Sequence, residues 1–151
     1  MTSEISAEQA ARKRALDILA TAPAKALAER WHAFGDKPDH QRLRGPETGL
    51  VMVRGRAGGG GAPFNLGEAT VSRASVRIVT GEVGHGYCLG RDLDQAEAIA
   101  VIDALRQRDA GRVDAEIIAP LETLIVESDV TRKNETAATR VDFFTMVRGD
   151  N

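Results

Sequence analysis

The chain has 151 residues, of which 42% are hydrophobic, 28% charged and only 4% aromatic, and its net charge is −2. That length suits one domain whose core is built from aliphatic side chains and alanine, without covalent staples. A slightly acidic balance gives no sign of the basic patch on which nucleic-acid affinity rests, and the single cysteine, Cys88, excludes an internal disulfide and favours a reducing compartment.

The amino terminus has no basic start followed by an apolar run, so it does not read as a signal peptide. No stretch approaches the roughly 18 apolar residues that a membrane span needs. The expectation is a cytoplasmic protein with neither nucleic acid nor membrane as partner. Ser6 and Gln9 have capping-box spacing, which predicts a helix over 7–20 with Ala11, Ala15, Ile18 and Leu19 on one stripe. Pro23 opens a second helix in which Leu27, Trp31 and Phe34 share a face and Gly35 is the stop. The two read as a helical hairpin.

From His40 to Arg91 the pattern is that of strands. "GLVMVRGR" is a compact apolar run and "GGGGAPF" a loop. "EATVSRASVRIV" is β-rich, but its small and apolar positions change parity, which predicts a bulge near Ser72–Arg73. The dipeptide at 80–81 is a tight turn into "EVGHGYCLG". Asp92 and Gln95 then open a third helix, with Ala98, Ile99, Ile102 and Leu105 buried and Gly111 as its end. "DAEIIAPL" is read as one more short strand, and a polar helix over about 122–140 leads into the tail. Helices, strands and helices in that order predict an α+β fold with the helices grouped on one face of an antiparallel sheet.

Few of the chemical groups assemble into a motif. The glycine run Gly58–Gly61 is followed by Ala-Pro-Phe rather than the Gly-Lys-Ser/Thr of a P-loop, so it reads as a flexible loop. Arg54 and Arg56 beside it, with Arg73 and Arg77 on one strand face, are the candidate anion contacts. His85 and Cys88 point to opposite sides of a strand, which argues against a metal site. No nucleophile elbow accompanies them, and Glu47, Glu68, Asp92, Glu97 and Asp103 read as caps and solvated charges. No catalytic residue is assigned.

Two features are more informative. In "VGHGYCLG" the positions Gly84, Gly86, Cys88 and Gly90 are all small, a bare strand face that invites close approach by another backbone, either the chain's own helix or a partner. The tail "RVDFFTMVRGDN" places Val141, Phe143, Phe144, Met146 and Val147 beside Arg148, and neither a helix nor a strand hides them all on one side. Leaving them wet costs about 1.5–3 kcal/mol for each large side chain, so cover by another chain is favoured over self-docking.

With these segments in view, the chain resembles the PhnG family, a small subunit of the bacterial phosphonate carbon–phosphorus lyase system. "ETGLVMVRGRAGG", "EATVSRASVRI", "GYCLGRD", "AEAIAVIDAL", "IAPL" and "AATRVDFFTMVRGD" carry the resemblance, over about residues 20–151. It implies a hetero-oligomer with PhnI-, PhnH- and PhnJ-like subunits, two copies of each. That complex takes part in making α-D-ribose 1-methylphosphonate 5-triphosphate from ATP and a phosphonate, with release of adenine. It further implies a required partner that is not catalytic alone and binds no cofactor of its own, ATP being a substrate of the complex. The rival expectation is that Arg54, Arg56, Arg73 and Arg77 enter a shared phosphate- or phosphonate-binding active site. The fold expected is α+β: an antiparallel sheet of three to five strands, an N-terminal helical hairpin, two further helices and an extended C-terminal tail. Residues 1–151 form one domain in that reading, with 141–151 as a partner-docking tail.

Overall fold

A computed structural model describes residues 6–138, so the expected docking residues Val141, Phe143, Phe144, Met146, Val147 and Arg148 lie outside the described residues. Helix α1 spans Ala7–Thr21 and starts at a capping box: the Ser6 hydroxyl accepts from the Gln9 N–H at 3.2 Å, and the Gln9 side chain accepts from the Ser6 N–H at 3.1 Å. Helix α2, Ala24–Phe34, ends where Gly35 takes φ 74°, a value that suits a residue without Cβ. No helix among the described residues is long and apolar enough to cross a membrane.

Three strands follow, β1 (His40–Arg56), β2 (Pro63–Ile78) and β3 (Val83–Leu89), antiparallel in the order β1-β2-β3. The turn into β3 is closed by Gly81 at φ 106°, whose N–H donates to the Ile78 carbonyl at 2.9 Å. The bulge expected in β2 near Ser72–Arg73 is not there, because β2 pairs with β3 without interruption from Val71↔Leu89 to Arg77↔Val83. The register shifts lie instead opposite it in β1, between Arg42 and Glu47, and near the far end of the hairpin at Val53/Arg54. The parity change in the sequence has another cause. Ala74, Val76 and Ile78 face the helices, whereas Val71 is buried on the opposite side of the sheet and is no part of that core.

Helix α3 (Leu93–Arg108) begins at Asp92, whose carboxylate accepts from the Gln95 N–H at 2.9 Å. It lies against β2 and β3 on one side and meets α1 and α2 on the other, so Ile99, Ala100, Val101, Ile102, Ala104 and Leu105 are all buried. The helix ends at Asp109 (φ −138°) and not at Gly111, which lies inside the single turn α4 (Ala110–Val113); the Asp109 carboxylate accepts from the Arg112 N–H at 3.2 Å and caps that turn.

The short strand expected in "DAEIIAPL" is helical. Asp114–Ile118 form a π-turn that joins α4 to α5 (Ala119–Ala138), with the Ala119 N–H reaching the Asp114 carbonyl. Pro120 lacks an N–H and its ring crowds the carbonyl four residues back, and the wider π-turn accommodates both defects. Ile117, Ile118 and Leu121 enter the core from this segment. The segment is therefore a helix with one buried side, which so short a stretch does not distinguish from a strand by periodicity alone.

Candidate functional site

The bare strand face has a structural partner within the chain. A Cβ built on Gly84 would lie 1.9 Å from the Ala100 carbonyl oxygen, and one on Gly86 would lie 1.8 Å from that of Ala96. The α3 backbone thus rests directly on β3, with Ala96, Ala100 and Ala104 as the facing residues. Cys88 completes the buried face, and burial pushes its thiol pKa up, away from nucleophile chemistry. Gly90 is different: it follows the end of β3 at φ 91° with open space where a Cβ would be, so it is a turn residue and not part of the close-packed face.

One carboxylate read as a solvated charge is in fact buried. Asp103 on α3 is 1% exposed; it accepts two hydrogen bonds from Arg12 of α1, at 2.9 and 2.7 Å, and a third from the His85 backbone N–H at 2.9 Å. On the same edge the Val83 carbonyl accepts from Gln107 at 2.8 Å. The outer edge of β3 is thereby occupied by side chains, one of the ways a sheet avoids pairing with stray strands.

The opposite side of the sheet from α3 carries the other polar candidates. Glu47 accepts from Arg73 at 2.7 Å and from Arg44 at 2.5 Å, and Arg73 in turn holds its carboxyl pKa below the usual range. Ser75 and His85 are hydrogen-bonded across β2 and β3 at 2.9 Å beside Tyr87, and a hollow of about 340 Å³ lies next to them. Among the described residues no carboxylate bonds to the His85 ring, so the pair lacks the orienting third group of a triad. The four candidate arginines fall into two places. Arg54 and Arg56 lie opposite Asn65 and Pro63, while Arg73 and Arg77 lie opposite Glu47 and Gln41. At about 3.3 Å per residue, the eight residues from 65 to 73 separate the two pairs by roughly 26 Å, too far for one phosphate.

Beyond the end of β3 the hairpin continues without a third strand among the described residues. β3 reaches only to Val71, while β1 and β2 stay paired as far as Arg56↔Pro63. On this arm Leu50, Met52, Leu66 and Phe64 are 63%, 60%, 61% and 47% exposed. Only residues 57–62 separate its two strands, and Gly58 takes φ 60° there. The sequence contains a signal for this feature, since "LVMV" is apolar at both parities and a strand with one wet face alternates.

The root of the hairpin is tied to α3 by Glu97, which accepts from Arg42 at 2.7 and 2.8 Å and lies 3.0 Å from the His40 Nε2. Arg42, and after it His40, holds the Glu97 carboxyl below its ordinary value of 4.5. A folded-state pKa below the unfolded one favours the ion in the folded chain, so this stabilisation is complete above about pH 5 and is lost as pH falls through the lower folded value. Glu97→Gln is therefore expected to cost about 1 kcal/mol at neutral pH and to flatten the fall in melting temperature from about pH 5 downwards, as read by thermal melts across a pH series.

Two comparisons bear on this arrangement. The family model described as "Phosphonate metabolism protein PhnG" matches residues 10–149. The chain is also similar to "Alpha-D-ribose 1-methylphosphonate 5-triphosphate synthase subunit PhnG" of Rhizobium meliloti (strain 1021), at 54% identity over 143 residues covering 94% of this chain and 92% of that relative. Both spans include the close-packed glycines and the hairpin arm.

Proposed function

This chain belongs to the PhnG family of phosphonate metabolism proteins, and from that premise we propose that it is an accessory subunit of an α-D-ribose 1-methylphosphonate 5-triphosphate synthase. The 54% identity to a relative bearing that name, over nearly the whole of both chains, carries the reading. The complex takes ATP and a phosphonate as substrates and releases adenine; this subunit holds no cofactor and serves assembly in the cytoplasm. Its partners are PhnI-, PhnH- and PhnJ-like chains, two copies of each. Residues 1–151 act as one domain, from which 141–151 extend to a partner and place Phe143, Phe144 and Met146 out of water.

The local chemistry agrees with a supporting role for several groups that otherwise invite a catalytic one. Cys88 is buried on the core side of β3, and Arg73 is engaged with Glu47. Co-expression with the three partner chains, followed by native mass measurement, tests the reading. The expected result is one assembly containing two copies of each chain and making the triphosphate product, and removal of residues 141–151 is expected to lower its yield. A chain that stays alone while its partners assemble into an active synthase overturns it.

A further inference from the structure

The distal hairpin poses a problem that the body of the protein does not solve. A two-stranded ribbon by itself is at best marginally stable in water, yet here it runs on for about 26 Å past the third strand, with apolar side chains on both faces. The faces follow from the register, because directly paired residues share a side. Thr48 pairs with Ser72 and Ser72 with Cys88, which faces α3, so Leu50 and Met52 extend that helix-facing side beyond the point where helices cover it. Val51 and Val53 extend the other side, and Phe64 and Leu66 flank the tip.

We infer that this arm, residues 49–56 with 63–70, inserts into a groove of a non-identical subunit whose walls are apolar and whose rim carries carboxylates opposite Arg54 and Arg56. The inference rests on the subunit reading above and names the surface that serves it. A flat partner covers one face of a ribbon; apolar groups on both faces need a groove. Charge sets the rim, since Arg54 and Arg56 form no ion pair with any described residue, whereas Arg42, Arg44 and Arg73 nearer the body are all paired with glutamates. A second copy of this chain is a poor occupant. Arm-to-arm contact with the two tips on a twofold axis brings like arginines together. The hollows beside Trp31 and Tyr87 hold about 380 and 340 Å³, far less than a ribbon of this length fills.

The test uses the full chain co-expressed with the other synthase subunits. Leu50→Asp with Met52→Asp, both side chains being exposed, is expected to leave the thermal midpoint of the isolated chain unchanged and to weaken its incorporation about a hundredfold. Arg54→Glu with Arg56→Glu is expected to weaken it about tenfold, more at low salt than at high. In the wild-type protein, amides of 49–56 and 63–70 gain hydrogen-exchange protection on assembly, a readout that needs no variant to fold. If both variants assemble as tightly as wild type, or the arm exchanges as fast in the complex as alone, the arm is not the docking element while the subunit reading stands. A wild-type homodimer that the variants dissociate gives the arm to a second copy and overturns the inference. A wild-type chain that joins no complex overturns the subunit reading and the arm with it.

Discussion

Gly86→Ala is expected to be the most damaging small substitution in the chain. The added methyl would sit 1.8 Å from the Ala96 carbonyl oxygen and 2.7 Å from the Ala100 nitrogen, both backbone atoms of α3. No rotamer change relieves a clash with backbone, so the helix has to lift from the sheet. Inserting one methylene into a packed core usually costs about 1–3 kcal/mol, and a clash with backbone belongs at or above the top of that range. Lifting α3 also loosens Ile99 and Ile102, which lie at the centre of the core. A fall in melting temperature of roughly 6–12 °C, or loss of soluble protein, is the expected outcome. Gly49→Ala is the control, since a Cβ there meets nothing within 4 Å and its φ is not positive. Equal melting temperatures for the two variants would show that α3 does not rest on β3 as described.

Asp103→Ala is expected to cost about 3 kcal/mol, measured by denaturant unfolding. The carboxylate is buried and has three donors, two from Arg12 and one from the His85 backbone, so its removal strands all of them at once. Arg12 is partly exposed and recovers some hydration, which keeps the figure at the lower end for a broken buried pair. Arg12→Ala leaves the Asp103 carboxylate buried with one donor and should also destabilise. The double variant should cost clearly less than the sum of the two, because each single change already breaks the shared contact. Strict additivity would mean that the two side chains do not interact in solution.

Much of the fold was legible because its signals are local. The Ser6–Gln9 box, the Asp92 cap, the glycine stop after Phe34 and the tight turn at Gly81 each depend on a few neighbouring residues, and the structure has each where the sequence puts it. "DAEIIAPL" reads as a strand because an eight-residue stretch shows too few turns to separate the two periods; Ile117 and Ile118 are buried, and their packing beside α1 and α2 goes with the helical form. Asp103 was misread for the same kind of reason. Its partner Arg12 is 91 residues away, and nothing local marks a carboxylate as buried.

By itself, then, the sequence determined the α+β class, the starts of α1 and α3, the stop of α2, the family and the smallness of one face of β3, since each of these is written in adjacent residues or in ordered motifs. Tertiary structure alone decided which backbone that face receives, which charges leave water, and where the sheet outruns its helices. Those outcomes depend on long-range contacts, and the free energy of a buried or exposed group is set by neighbours that the chain brings together only on folding.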